Sequence, residues 1–112
     1  DKYNIVATGF INGQIEILSL LDLNQTIMKI NYGHTSQIRV IKKITNDIIA
    51  TGSDDSTIRI WNLTSGSLLA TLTDHTHSIR DLEILPDGQI ASASSDSTIK
   101  VWSLYNLNYT LR

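Results

Sequence analysis

The stretch "SDDSTIRIW", residues 53–61, returns as "SSDSTIKVW", residues 94–102, an interval of 41 positions. The copies agree in chemistry as well as in letters. Each runs through small polar residues, an aspartate, Ser-Thr, a β-branched residue, a cation, a β-branched residue and a tryptophan. A fixed interval of this size marks repeated structural units, each too small to bury its own apolar face. The register extends outward without a gap: His34 with His75, Thr35 with Thr76, Ile38 with Ile79, Arg39 with Arg80, Ile49 with Ile90, Ala50 with Ala91 and Leu63 with Leu104. A fainter copy lies at the start, where "IVATGFINGQIEILSL" (5–20) aligns with "IIATGSDDSTIRIWNL" (48–63) at an interval of 43. There Asn12 stands for the aspartate and Leu18 for the tryptophan. The unit occurs about three times, and the first copy lacks its beginning.

Within each unit the pattern is that of strands. "TIRIWNL" and "TIKVWSL" alternate β-branched or aromatic residues with polar ones, the period of a pleated strand. "DIIATGS" and "QIASASS" are short runs of apolar and small residues, suited to strands packed on both faces. Between them sits a tight polar turn: Asn12-Gly13 in the first copy, a strong hairpin signal, and Asp-Ser in the later two, which needs another stabiliser. "QIRVIKKI" and "SIRDLEIL" predict a further strand ahead of "TND" and "PDG" turns, and "TIMKI", "SLLATLT" and "NYTLR" a last one. No segment sustains an apolar 3.6-residue period, so essentially no helix is expected.

Composition narrows the function classes. With 41% apolar and 18% charged residues among 112, the chain can bury a core as one modest domain. Nine basic side chains against eleven acidic ones give a net charge of −2, no electrostatic footprint for nucleic acid or an anionic membrane. No apolar run approaches the length of a membrane-spanning helix, and no segment resembles a signal peptide. Cysteine is absent, which removes disulfides and thiolate metal sites and fits a cytoplasmic or nuclear setting, with the extracellular one left open. Three sequons, at Asn24, Asn62 and Asn108, are about what chance supplies and carry no argument. The sole methionine is Met28 and the chain starts at Asp1, so a piece of a longer polypeptide is expected.

Four short antiparallel strands per unit of about forty residues is the arithmetic of a β-propeller blade. The residues also carry a likeness: the sequence resembles the WD-repeat propellers, named for the Gly-His that opens a repeat and the Trp-Asp that closes it. Here these are Gly33-His34 with Trp61-Asn62, and Asp74-His75 with Trp102-Ser103. Neither tryptophan is followed by aspartate, the last copy has Asp-His, and the first has no tryptophan. The expected fold is all-β, a partial propeller of just under three blades: residues 1–32, an incomplete blade, then 33–73 and 74–112.

His34, Thr51, Asp55 and Trp61 recur as His75, Ser92, Asp96 and Trp102. Histidine, hydroxyl and aspartate are ingredients of nucleophilic catalysis, but a catalytic set has no reason to appear in every repeat. The resemblance implies a hydrogen-bonded chain in each blade, from aspartate through histidine and hydroxyl to the indole N–H. "SDDS" and "PDG" lack the alternating acidic ligands and terminal glutamate of a calcium site. "DHTHS" leaves a metal only His77 once His75 joins its chain and reads as a solvated loop, and there is no phosphate loop or nucleophile elbow. No catalytic residue, metal or cofactor is expected.

The resemblance further implies a binding role, with partners docking on the face that carries the turns between second and third strands and the loops before the first. Its exposed candidates are Gln37, Arg39, Asp54, Ser78, Arg80 and Ser95. Arg39 and Arg80 either present guanidinium groups to a partner or pair with Asp54 and Asp81 and merely solvate the rim. A ring usually needs 4–8 blades, so about eleven strands leave it open. The expected function is therefore a non-catalytic scaffold for protein partners, part of a longer propeller protein. The alternative is a self-assembling protein, completed as a ring or filament by copies of itself through its open blade edges.

Overall fold

The computed structural model describes residues 5–9, 12–19, 26–30 and 33–103. "NYTLR", the expected last strand of the third unit, lies outside these residues, as do Asn24 and Asn108. Ten strands are described, with no helix among them, and they form three antiparallel meanders. The first sheet has β1 (Ile5–Gly9), β2 (Ile15–Ser19) and β3 (Thr26–Ile30) in that order. The second has β4 (Ile38–Lys43), β5 (Ile48–Ser53), β6 (Ile58–Asn62) and β7 (Leu68–Leu72). The third has β8 (Ile79–Ile84), β9 (Ile90–Ser94) and β10 (Ile99–Trp102).

Strand alternation explains why the sheets stack. Side chains at successive positions leave opposite faces of a sheet, and the middle sheet is apolar on both. Ile49 of β5 and Trp61 of β6 face the first sheet, where they are buried with Ile15, Ile17, Ile30 and Ile38. Ala50 of β5 and Ile58 and Ile60 of β6 face the other way, buried with Ile79, Leu82, Ile90 and Trp102 of the third sheet. The leading strands lie nearest one another, β1 beside β4 and β4 beside β8.

Glycine permits that close approach. A Cβ built on Gly52 of β5 would stand 2.6 Å from Cγ2 of Ile79, and one on Gly9 2.8 Å from Cβ of Ile38. Position 93, one interval beyond Gly52, is alanine, on the sheet with no described neighbour beyond it.

The outer face of that third sheet is open. Ile58 and Ile60 are 0% exposed, whereas their repeat equivalents Ile99 and Val101 are 75% and 52% exposed. Equivalent positions are core in one copy and surface in the next because, among the described residues, only one of them has a sheet stacked over it.

Candidate functional site

Two features stand out above the packing: a polar chain inside each of the last two sheets, and a charged rim at one end of them. In the middle sheet, Trp61 Nε1–H donates to Thr51 Oγ1 at 2.9 Å, Thr51 Oγ1 lies 2.6 Å from His34 Nε2, and His34 Nδ1 lies 3.0 Å from Asp55 Oδ2. The third sheet repeats this with Trp102 to Ser92 at 2.8 Å, Ser92 to His75 at 2.7 Å and His75 to Asp96 at 2.8 Å. His34, Thr51, Trp61, His75, Ser92 and Trp102 are buried. Histidine and tryptophan rings meet edge to face, at centroid distances of 6.5 Å and 6.0 Å.

The direction of donation follows from the end groups. An indole can only donate and a carboxylate can only accept. A neutral His34 completes the series: Nδ1–H donates to Asp55 while Nε2 accepts from the Thr51 hydroxyl. Burial pushes the imidazole below its ordinary pKa, against the opposing pull of the Asp55 carboxylate. Protonating it would turn Nε2 into a donor, and Thr51 Oγ1 would then have to give its proton to the Arg59 carbonyl, 3.4 Å away.

The aspartate does more than face the histidine. Asp55 Oδ2 also accepts the N–H of Thr35 at 2.9 Å, while Oδ1 accepts the N–H of Thr57 at 2.9 Å and its hydroxyl at 2.6 Å. Burial pushes the Asp55 carboxyl upward, but these donors together with His34 outweigh it and hold the group below the usual carboxylate range. The Thr98 hydroxyl, His75 and the N–H groups of Thr76 and Thr98 hold Asp96 well below that range, against the effect of burial. Thr57 and Thr98 were not singled out from the sequence, although "DST" recurs at 55–57 and 96–98 and was the available signal. Ser53 was likewise passed over; its hydroxyl accepts the N–H of Asp55 at 3.0 Å and donates to the Ser36 carbonyl at 3.2 Å.

This network explains how an Asp-Ser turn survives where glycine is expected. Ser56 and Ser97 have φ of 76° and 73°, a left-handed conformation that costs a non-glycine residue about 1–2 kcal/mol. The aspartate just before each is held on both oxygens, which fixes the turn in spite of that cost.

The rim residues cluster at the ends of β4, β5, β8 and β9. Arg39 grips Asp54 with two bonds, Nε to Oδ1 at 2.8 Å and Nη2 to Oδ2 at 3.1 Å. Arg39, with a smaller contribution from the Ser78 hydroxyl, holds the Asp54 carboxyl below its usual range against the effect of burial. The Asp54 N–H donates to the Gln37 carbonyl at 2.9 Å, and the Ser95 N–H to that of Ser78 at 3.0 Å. Arg80 donates through Nε to Ser95 Oγ at 2.7 Å, and the Asp81 carboxylate accepts the N–H of Leu82 instead of the guanidinium. Arg39 thus pairs with Asp54, whereas Arg80 and Asp81 remain apart. Among the described residues no group of three or more histidine and carboxylate side chains is placed to hold a metal.

Comparison with known proteins agrees with this architecture. The family described as "WD domain, G-beta repeat" (WD40) matches residues 25–62 and 66–103. Each match begins with the last strand of one sheet, β3 or β7, and continues through the first three of the next. The faint first copy over 5–20 lies outside both matches.

The pre-mRNA-splicing factor PRP46 of Candida glabrata is 43% identical over 60 residues, which is 45% of this chain and 14% of that protein. The PRP46 of Kluyveromyces lactis is 42% identical over 48 residues, 41% of this chain and 11% of that protein. The chain therefore spans only a small part of the curated relatives it matches. The WD40 β-propeller domain of Doa1 superimposes with a TM-score of 0.85 at 20% identity, over 99% of this chain and 37% of that one. With two consecutive family matches, three stacked antiparallel meanders and a propeller as structural neighbour, this chain belongs to the WD40 repeat family.

Proposed function

We propose that this chain is a non-catalytic scaffold that binds protein partners, and that its blade units 1–32, 33–73 and 74–112 form part of a longer propeller. The observation that carries the reading is the occupancy of the polar chains. In both sets the histidine is buried with each ring nitrogen on a hydrogen-bond partner. Such a set has no open position for a substrate, and its role is to clasp the turn to the sheet. At one end of the sheets lies the rim, where Arg39, Arg80 and Ser95 are exposed and Gln37, Asp54 and Ser78 half-buried, polar groups displayed on a rigid frame.

The name of the PRP46 relatives supports a partner within a pre-mRNA-splicing assembly, and of the compartments expected from the sequence it favours the nucleus. Closure by copies of the chain is the competing arrangement. Site-specific photo-crosslinking in cells separates the two. A crosslinker at Gln37 or Ser78 should capture other proteins, while one at Ser65 on the far turn should not. Capture only of further copies of this chain, or equal capture from both ends, would overturn the reading.

A further inference from the structure

Repetition makes two arginines comparable position by position, and their surroundings differ. Arg39 and Arg80 are one interval apart, as are Asp54 and Ser95. In the middle sheet the guanidinium is clamped bidentately by a carboxylate, the geometry in which arginine binds carboxylate most strongly. In the third sheet the carboxylate is replaced by a hydroxyl that occupies Nε alone. Among the described residues no carboxylate lies within ion-pair distance of Arg80, and its two terminal nitrogens have no hydrogen-bond partner. Arg80 is exposed. The Arg80 charge is felt at Asp54, and the two guanidinium groups with that one carboxylate carry a net positive charge.

We propose that Arg80 is the docking point for an acidic side chain of a protein partner, which completes on the third blade the carboxylate clamp that Asp54 already makes on the second. The inference rests on the scaffold reading and names the chemistry of its partner. Ser95 holds the guanidinium plane by its Nε, leaving the two terminal N–H groups directed at an incoming carboxylate, and little side-chain entropy remains to be lost on binding.

The test is titration of the full chain with a fluorescein-labelled hexaglutamate peptide, read by anisotropy at about 50 mM salt, where exposed charges are only partly screened. Arg80→Gln should weaken binding by roughly fivefold or more. Ser95→Asp supplies an internal carboxylate and should weaken it to a similar degree, with the fold intact by circular dichroism. Lys43→Gln, an equal loss of charge away from the rim, should change it by less than about twofold. Absence of binding by the wild type, equal losses from Lys43→Gln and Arg80→Gln, or a Ser95→Asp chain that binds as wild type would overturn the proposal. So would tighter, Arg80-dependent binding of a phosphoserine peptide of the same length, which would assign the site to phosphate. Each of these results leaves the scaffold reading to its crosslinking test, so the two fail separately.

Discussion

The hydroxyl of Thr51 accepts from one ring and donates to another, so it is the link that cannot be replaced by shape alone. Thr51→Val keeps the volume but strands the Trp61 N–H and the His34 Nε2, and should cost about 2 kcal/mol. Asp55→Ala removes the acceptor for His34, for two backbone N–H groups and for Thr57 at once. It should cost about 3 kcal/mol, lowering the melting temperature by about 10 °C or more. A variant that melts with the wild type would mean that the chain of bonds contributes nothing. The same groups set the response to acid. His34 and Asp55 both have folded values below their ordinary 6.5 and 3.8, so the unfolded chain takes up protons first. Their stabilisation is complete above pH 6.5 and is lost on acidification, through His34 first and the carboxylate below 3.8. The melting temperature should therefore fall between pH 7 and 5, and a flat profile there would contradict a neutral buried His34.

At the level of the elements, the turns and the close strand contacts are the sensitive places. Ser56→Gly relieves a left-handed serine whose side chain makes no hydrogen bond among the described residues, and should stabilise by about 0.5–1 kcal/mol in thermal or urea melts. Gly52→Ala drives a methyl into Ile79 and should cost about 1–3 kcal/mol, whereas position 93 carries alanine on a sheet with no described sheet beyond it. Much of this architecture was legible in the letters. Alternation in "TIRIW" and the Asp-Ser turn before it placed β6 and its hairpin, and recurrence of His34, Thr51, Asp55 and Trp61 drew attention to the residues that lie in one chain of bonds. Periodicity could not see what a residue faces across space. Arg39 and Arg80 are equal by the interval, yet one letter fifteen positions on, Asp54 or Ser95, gives one a carboxylate and the other a hydroxyl. Thr57 escaped notice because a threonine entering a strand needs no further explanation from sequence.

For the whole molecule, the decisive asymmetry is that equal apolar faces are covered in one copy and bare in the next. Ile58 and Ile60 lie fully between sheets, while Ile99 and Val101 face outward. Ile58→Ser should cost about 3 kcal/mol or more, through lost burial and a hydroxyl without a partner. Ile99→Ser should leave the melting temperature nearly unchanged and reduce self-association, as measured by light scattering of the isolated chain. If both variants melted alike, the stacking order of the sheets would be wrong. The phase between repeat and sheet has a further consequence. Because each family match opens with the strand that finishes the sheet before it, a ribosome that has just released residues 25–62 has made β4, β5 and β6 but not β7. The edge of β6 stays unpaired until residues 68–72 emerge. The order of synthesis thus leaves the second blade open on one side until the opening strand of the next family repeat has been translated, so the blade is closed by a strand that the sequence counts with its successor.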